Sequence, residues 1–417
     1  SPARPHGYSS PDIADETGAK SHFLICLGRK VTHLSHSVCN DSIEICVSLV
    51  FRAQKSRKHK DSTIFAPLLY QLFHALLMQS ILFIVNPISG SGRKDAALKA
   101  VERYLDRDRF IAEICYTEYA GHGAEIAREA AGRGVDIVVA VGGDGTVNEI
   151  AGSLVDTETA LAIIPCGSGN GLARHLQIPM DPVAAVKVIN TAAIVRLDHG
   201  TINGRPFFCT CGVGFDAFIS MKFAEAGRRG PATYVEKTLT DGLRYKAETY
   251  RLTLGDEEGN CHSVDAFLIA CANASQYGNN AYIAPHASMR DGLLDVTVLE
   301  PFSLIEAPIV AMQLFSKSLP KNSHVKSYRT NRLRIERSAP GPAHCDGEPF
   351  NTDAVIDIRL LPQSFNAVVN EKALLPEVGS KQAPTLLQFF LEPFNPLSLP
   401  AWRERTTTLF DIIRRKS

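Results

Sequence analysis

The chain has 417 residues, of which 44 are basic and 44 acidic, so its formal net charge is zero. That balance gives no overall attraction to nucleic acid, and the length leaves room for two or three domains. Hydrophobic residues make up 45% of the chain, an ordinary share for a soluble protein, and the ten cysteines include no CxxC pair. This pattern favours reduced thiols in a cytoplasmic protein over a disulfide framework or a zinc site.

The first 77 residues differ in character from the rest of the chain. They hold six of the thirteen histidines and show neither a helical nor a strand period. Met78 is the first methionine and directly precedes an apolar run, so we expect the native chain to begin there and residues 1–77 to lie outside the native fold. Residues 64–85 carry no charge over a length that can span a bilayer, but Pro67 and several polar side chains interrupt them, which favours a soluble protein.

Apolar runs and helical spacings alternate from residue 81 onwards. Each of four short apolar runs ends in a polar turn, and most are followed by a helical spacing. The predicted strands are residues 81–85, 110–116, 135–141 and 161–164, and the predicted helices are 95–105, 124–131 and a stretch from 147. This order predicts a parallel sheet with right-handed crossovers, whose loops converge at one edge.

The turn after the third strand, residues 142–149, has the sequence Gly-Gly-Asp-Gly-Thr-Val-Asn-Glu. Its glycines let the backbone approach a polyanion, and the helix start offers unpaired N–H groups and a positive dipole end. Asp144 would repel phosphate, so it indicates either a Mg²⁺ ion held through water or a proton acceptor. Taken alone, the turn is equally consistent with a helix cap. The chain has no Walker-type P-loop, and Asn-Pro after the first strand disfavours a nicotinamide enzyme.

Three loops together resemble the diacylglycerol kinase catalytic domain, a family that includes bacterial soluble lipid kinases and eukaryotic sphingosine and ceramide kinases. The loops are Asn-Pro-x-Ser-Gly-x-Gly at 86–92, the turn at 142–149, and Pro-x-Gly-Ser-Gly-Asn-x-Leu-Ala-Arg at 165–174. The similarity extends over about residues 78–369. It implies an ATP-dependent lipid kinase with the nucleotide in a cleft between two domains.

Within this resemblance the loops supply the nucleotide contacts, as backbone amides and small hydroxyls that hold phosphate without a Walker lysine. The expected residues are Asn86, Ser89, Gly90, Thr117, Gly142, Gly143, Gly145, Thr146, Asn148, Gly167, Ser168 and Asn170.

The second half of the chain changes character near residue 200, where short alternating strands replace the strand and helix order. Strands are predicted at 207–211, 250–254, 265–272, 294–299 and 332–336, with a helical stretch at about 218–245. This spacing predicts an antiparallel β-sandwich. The expected fold is therefore α/β plus all-β. The predicted parts are a nucleotide-binding domain at 78–200 completed by about 355–370, a lipid-substrate domain at 201–354, and a tail at 371–417.

A metal site is implied by the resemblance at the Asp291-Gly292 loop. From sequence alone, Asp-Gly between two strands most often forms a hairpin turn. The bacterial relatives hold Mg²⁺ at this loop, which carries over to the Asp291 carboxylate with main-chain oxygens of Ser288 and Leu293. One carboxylate with carbonyl oxygens suits hard Mg²⁺.

A second acidic turn, Asp346-Gly347-Glu348, is also a common polar turn when considered alone. The resemblance makes Glu348 the base that deprotonates the lipid hydroxyl, with Asp346 beside it. Asp144 is the competing base, because the sphingosine kinase branch assigns that role to the equivalent aspartate. We favour Glu348 as the base and Asp144 as the organiser of Mg²⁺ and ATP, and we count all three carboxylates as catalytic candidates.

The third loop departs from the bacterial diacylglycerol kinases, since Ser168 replaces a threonine and Gly171 replaces an aspartate. The difference slightly favours a long-chain base or a related bacterial lipid alcohol, without excluding diacylglycerol. The predicted protein uses ATP and Mg²⁺ on a lipid alcohol at the inner face of the membrane, binds no nucleic acid, and has a homodimer as one option. Two alternatives stay open: an NAD kinase-like enzyme with a soluble substrate, and a non-catalytic lipid- or nucleotide-binding module.

Overall fold

The computed structural model describes residues 78–87, 93–225, 245–256, 260–303 and 305–371. The proposed N-terminal extension, Ser89, Gly90 and nearly all of the predicted tail lie outside these ranges. Within them, no helix combines the length and the apolar character that crossing a bilayer requires.

The first half contains the predicted parallel sheet. Its strands are β1 (Gln79–Val85), β2 (Phe110–Tyr116), β3 (Ile137–Gly142) and β4 (Ala160–Pro165), and its connecting helices are α1 (Arg93–Tyr104), α2 (His122–Gly132) and α3 (Asp144–Leu154). The strands lie in the order β2-β1-β3-β4 and all pair in parallel. Every residue of β3 and β4 is buried, as expected for strands covered by helices on both faces. The prediction of four parallel strands is therefore confirmed.

The second half forms two sheets that face each other across an apolar core. The elements after β4 are α4 (Gly171–His175), α5 (Pro182–Thr191), β5 (Ile194–Ile202), β6 (Arg205–Phe207), β7 (Thr210–Gly214), α6 (Phe215–Glu225), β8 (Glu248–Leu254), β9 (Cys261–Ala266), β10 (Leu268–Ala272), β11 (Leu294–Leu299), α7 (Ala307–Phe315), a 3₁₀ turn (Leu319–Lys321), β12 (Val325–Thr330), β13 (Arg332–Glu336), β14 (Gly341–Cys345), β15 (Glu348–Thr352) and β16 (Val355–Val368). One sheet has the order β12-β11-β10-β7-β14-β15, and its strands are antiparallel.

The other sheet runs through both halves of the molecule, in the order β2-β1-β3-β4-β16-β13-β8-β9. The long strand β16 makes this possible. Its start pairs with β13, whereas Asn366 and Ala367 near its end pair with β4. The register of the antiparallel pairing between β16 and β5 shifts between Leu361 and Phe365. Within this shift Gln363 has a left-handed φ of 48°, and its amide donates to Asp198 Oδ1 over 2.7 Å. One strand therefore joins the parallel sheet to the sandwich.

Apolar side chains from both sheets fill the core of the sandwich. Tyr250, Leu252 and Ile335 come from the sheet that is shared by the two halves, while Val213 and Val296 come from the six-stranded sheet, and all are buried. The predicted antiparallel second domain is thus confirmed as well.

Two predicted strands are interrupted in the structure. The strand expected at 207–211 stops at Phe207 and resumes at Thr210, because the amides of Phe208 and Cys209 donate to the Asp346 carboxylate instead of to a neighbouring strand. The strand expected at 265–272 is divided by Phe267 into β9 of one sheet and β10 of the other. The helical stretch begins earlier than predicted, at Phe215, and residues 226–244 lie outside the described ranges.

Candidate active site

The site begins at the carboxyl ends of the parallel strands. Asn86 directly follows β1, and its Nδ2 donates to the Thr146 Oγ1 over 3.0 Å. This bond ties the first loop to the first turn of α3, where Thr146 is buried. Thr117 directly follows β2 and is held by its amide, which donates to the Val85 carbonyl over 2.9 Å. The predicted convergence of these loops on one sheet edge is therefore seen.

Backbone contact between the second and third loops depends on glycine. A Cβ on Gly167 would lie 2.6 Å from the Gly143 Cα, which is closer than any real side chain approaches. A Cβ on Gly142 would likewise lie 2.6 Å from Thr146 Cβ. The two loops can pack this closely only with glycine at 167, whereas glycine at 142 leaves space for Thr146 within the second loop.

Asp144 joins the same two loops through hydrogen bonds. Its Oδ2 accepts from the Asn170 amide over 2.8 Å and its Oδ1 accepts from the Gly171 amide over 2.7 Å. The carboxylate thereby caps the first turn of α4. Asn170 has a left-handed φ of 52°, and its own side chain bonds the Gly167 amide and carbonyl. Asp144 thus has a structural role in the third loop, alongside any role in chemistry.

The acidic hairpin is shaped by two left-handed residues, Asp346 with a φ of 47° and Gly347 with a φ of 83°, between β14 and β15. The Asp346 carboxylate accepts four hydrogen bonds. The donors are the amides of Phe208, Cys209 and Thr210 at 2.7, 2.7 and 2.9 Å, and Asn148 Nδ2 at 2.5 Å. Burial raises the pKa of Asp346, and these donors oppose the rise. Asp346 therefore fixes the hairpin to both halves of the molecule, and Asn148 faces the hairpin.

Glu348 lies exposed at the first position of β15. Its Oε1 lies 3.0 Å from the position that a Cβ on Gly145 would occupy. Gly145 is the residue after Asp144, so both carboxylates border the start of α3. The hairpin from the second domain therefore meets the glycine-rich loops of the first domain at the start of α3.

A loop of the second domain, residues 276–280, packs against the third loop. A Cβ on Gly278 would lie 3.0 Å from backbone atoms of Gly169, and the Asn279 amide donates to the Gly169 carbonyl over 3.2 Å. A Cβ on Gly171 would lie 3.1 Å from the Tyr277 carbonyl oxygen. This contact gives a packing reason for glycine at 171, because a side chain there would require the Tyr277 backbone to shift by a few tenths of an ångström.

The predicted metal residues share one loop near β11. The Asp291 Oδ1 accepts from the Leu293 amide over 3.2 Å, and its Oδ2 is paired with the Arg329 guanidinium. Arg329 Nε also lies 3.5 Å from Asp295 Oδ1. Ser288 lies in the same loop, where its Oγ accepts from the Arg290 amide over 3.3 Å.

The donor chemistry of this loop fits a hard cation. Asp295 Oδ2 is buried without a hydrogen-bond partner among the described residues, and burial raises the pKa of Asp295. Carboxylate and carbonyl oxygens are the ligands that Mg²⁺ prefers. A cation bound to Asp291 would compete with Arg329, which already neutralises that carboxylate. Across the ranges that the structure covers, no group of three or more His, Cys, Asp or Glu side chains forms a metal site.

One cationic residue was not predicted. Arg93, the first residue of α1, donates from Nη1 to the Gly167 carbonyl over 3.1 Å. A fixed positive charge beside the third loop suits the binding of phosphate. The only signal for it in the sequence is its place directly after the Ser-Gly-Ser-Gly segment, where the first helix was expected to start two residues later.

Comparison with known proteins agrees with this architecture. The family model described as the diacylglycerol kinase catalytic domain matches residues 80–202, and the model described as the YegS C-terminal NAD kinase beta sandwich-like domain matches residues 209–369. The chain belongs to this lipid kinase family. The resemblance stated from the three loops is thus confirmed.

The relatives compared below are 30% and 33% identical to the chain over the aligned residues. It is 33% identical over 259 residues to a probable lipid kinase YegS-like protein of Chromohalobacter salexigens, covering 60% of this chain and 81% of that protein. It is 30% identical over 299 residues to a diacylglycerol kinase of Mycobacterium tuberculosis, covering 68% and 93%. A solved putative diacylglycerol kinase of Bacillus anthracis superposes with a TM-score of 0.61 at 24% identity, over 71% of this chain and 97% of that one, and supports the fold.

Proposed function

We propose that this lipid kinase family member transfers the γ-phosphoryl group of ATP to a hydroxyl of a membrane lipid, with Glu348 as the general base. The observation that carries the proposal is the position of the Glu348 carboxylate against Gly145, at the start of the helix that Asp144 begins. A base there stands beside the loops that would hold the phosphates. Family membership supports the kinase chemistry.

The nucleotide phosphates would lie against the glycine turns and the N-terminus of α3. Asn86 and Thr146 are already joined by a hydrogen bond, so their polar groups are in place before any ligand arrives. The Gly143 and Gly167 backbones meet without intervening side chains, which leaves room for a polyanion at their surface. Ser168 is exposed on the third loop, and Arg93 adds positive charge beside it.

In the reaction, Glu348 would accept the proton of the lipid hydroxyl as that oxygen attacks the γ-phosphorus. The bond from the γ-phosphorus to the bridging oxygen breaks, and ADP leaves. Asp144 is the weaker candidate for the base, because both of its oxygens already accept backbone amides of the third loop. Asp346 is a positioning residue, since its carboxylate is occupied by four donors.

Magnesium would neutralise phosphate charge when bound with ATP. The Asp291 carboxylate, with main-chain oxygens of Ser288 and Leu293, would hold a further ion in the loop near β11. That loop is linked to the shared sheet, because the Gly292 amide donates to Asp198 Oδ2 over 2.9 Å. This hydrogen bond fixes the position of the loop within the second domain.

Diacylglycerol is the acceptor that we favour. The named diacylglycerol kinases match nearly their full length, including the one from Bacillus subtilis, at 27% identity over 90% of that protein. Glycine at 171 was one of the two sequence arguments for a long-chain base, with Ser168 the other. The Tyr277 carbonyl next to Gly171 supplies a packing explanation that does not involve the substrate.

The decisive experiment is transfer of radiolabelled phosphate from ATP to dispersed diacylglycerol, sphinganine, ceramide and undecaprenol. We expect labelled phosphatidic acid as the main product. Glu348→Gln should lower kcat by about 10²–10⁴-fold because it removes the proton acceptor, while binding of ATP is kept. Glu113→Gln, an exposed carboxylate on β2, is the matched control and should have wild-type activity.

Two results would contradict the proposal. Near-normal turnover of Glu348→Gln would remove that residue from proton transfer and direct attention to Asp144. ATP binding without labelling of any lipid in the panel would favour the non-catalytic module. Labelled sphinganine in place of phosphatidic acid would keep the kinase and change its acceptor.

A further inference from the structure

An exposed apolar surface lies on α7 and the turn before it. Ile305, Ile309 and Met312 are 88%, 50% and 40% exposed, and they follow each other at intervals of four and three residues. That spacing places them on one side of the helix, while Val310 on the other side is buried. Helix α7 itself, Ala307–Phe315, contains no charged residue. Aligned large apolar side chains in water mark an interaction surface, whereas scattered ones do not.

Contacts on the buried side hold this helix in place. The Leu314 carbonyl accepts from the Tyr282 amide over 2.8 Å, and Gln313 Oε1 accepts from Asn322 Nδ2 over 2.6 Å. The exposed face is therefore presented by a fixed element of the second domain.

Positive charge borders the apolar face. Lys317 lies two residues after the helix and Lys321 ends the 3₁₀ turn that follows, and the Lys317 ammonium lies 4.5 Å from the centre of the Tyr282 ring. The nearby carboxylates have partners, since Glu306 accepts from the Ser303 hydroxyl and lies against His324, and Glu300 pairs with Lys326. An apolar helix with lysine and tyrosine at its end suits the boundary between lipid headgroups and acyl chains.

The helix α7 is also connected to the third glycine-rich loop. Gly278 packs on Gly169 of the third loop, and Tyr282 bonds α7 four residues later. Four peptide units span at most about 15 Å between their first and last Cα atoms. Tyr282, which is bonded to Leu314 near the end of α7, therefore lies within about 15 Å of the loop residue that contacts Gly169.

We propose that Ile305, Ile309 and Met312 insert into the surface of an anionic bilayer and dock the enzyme where its lipid acceptor resides. This inference rests on the proposed function, because only a lipid acceptor requires such docking. Three apolar side chains followed by two lysines fit a lipid surface better than a protein, since stable protein interfaces bury roughly 800 Å² on each partner.

The test compares vesicle binding with catalysis in the full-length protein. The vesicles contain equal amounts of phosphatidylcholine and phosphatidylglycerol with a few per cent dioleoylglycerol. Co-sedimentation with these vesicles measures binding, and phosphorylation of their dioleoylglycerol measures activity at a surface. Dihexanoylglycerol, used below its micelle concentration, measures activity without a surface. Ile309→Glu and Met312→Glu should each weaken vesicle binding about 10–100-fold, because each removes one inserted apolar group and adds a repelled charge.

The matched control is Ile111→Glu, a side chain with 51% exposure on the edge strand β2. It should leave vesicle binding unchanged, and Ile309→Leu should retain binding. Both Glu variants should phosphorylate dihexanoylglycerol at the wild-type rate and unfold at the wild-type temperature.

Three outcomes would overturn the docking surface: wild-type protein that does not bind the vesicles, Ile309→Glu that binds as wild type, or equal loss in Ile111→Glu. A change of mass in solution with Ile309→Glu and no change in vesicle binding would assign this face to a second copy of the chain, which also overturns the proposal. Failure to phosphorylate either glycerolipid would refute diacylglycerol as the acceptor, and the vesicle-binding result would be judged separately.

Discussion

Asp346→Asn tests how the acidic hairpin is held against the rest of the molecule. The carboxylate accepts two donors at each oxygen: Cys209 and Thr210 at Oδ1, and Phe208 and Asn148 at Oδ2. An asparagine can accept at one oxygen only. Whichever way the amide is turned, its NH₂ group then opposes two donors.

The magnitude depends on those two donors. A buried donor left without an acceptor costs about 1–3 kcal/mol. Part of that loss is offset because burial raises the pKa of Asp346, which shows that the buried charge is itself unfavourable. We therefore expect Asp346→Asn to lower the free energy of unfolding by about 2–4 kcal/mol.

Equilibrium unfolding in urea at pH 7.5 measures the effect, with Asp353→Asn as the control. Asp353 is exposed, so its substitution should change the free energy by less than about 0.5 kcal/mol. A double-mutant cycle with Asn148→Ala should give a coupling of about 1 kcal/mol for the bond between the domains. If Asp346→Asn loses less than about 0.5 kcal/mol, the four bonds do not hold the hairpin and the positioning role fails.

The remaining predictions concern the glycine contact and a buried histidine. Gly167→Ala should weaken ATP binding by at least about 10-fold, measured by calorimetry, because its Cβ would lie 2.6 Å from Gly143 Cα; Gly132→Ala, with nothing within 4 Å, should bind ATP normally. Burial lowers the pKa of His199, so its contribution to stability is present above about pH 6.5 and is lost as the pH falls. Urea unfolding at pH 7.5, 6.5 and 5.5 should show a smaller pH slope in His199→Gln, and an unchanged slope would contradict the assignment.

The sequence allowed the parallel sheet and the loops at its edge to be predicted, because both depend on local patterns. β3 and β4 are short, wholly apolar runs, and such runs are buried wherever helices cover both faces. The glycines at 142, 143 and 145 predict the turn at 142–149 from local sequence alone. The placement of Glu348 opposite this turn came from the family resemblance, which supplies information about distant contacts.

Interactions between distant residues explain what was missed. The interruption between β6 and β7 at Phe208 and Cys209 is caused by the Asp346 carboxylate, more than 130 positions away. No local sequence pattern predicts this interruption. Asn148 stays a predicted nucleotide contact, but its bond to the same carboxylate, 198 positions further along the chain, was not predicted. Arg329 lies beside Asp291 because β12 pairs with β11, a pairing that the spacing of strands does not determine.

The path of β16 has a consequence for how the protein is made. During synthesis the N-terminal half emerges from the ribosome first, but β4 obtains its second neighbour only when residues 366 and 367 arrive. Until then β4 is an edge strand with unpaired backbone N–H and C=O groups, which can pair with another chain and cause aggregation. A gene shortened before residue 366 should therefore yield an aggregating product, even though all three glycine-rich loops are encoded. For the same reason, we expect that the two halves do not fold when they are expressed as separate proteins.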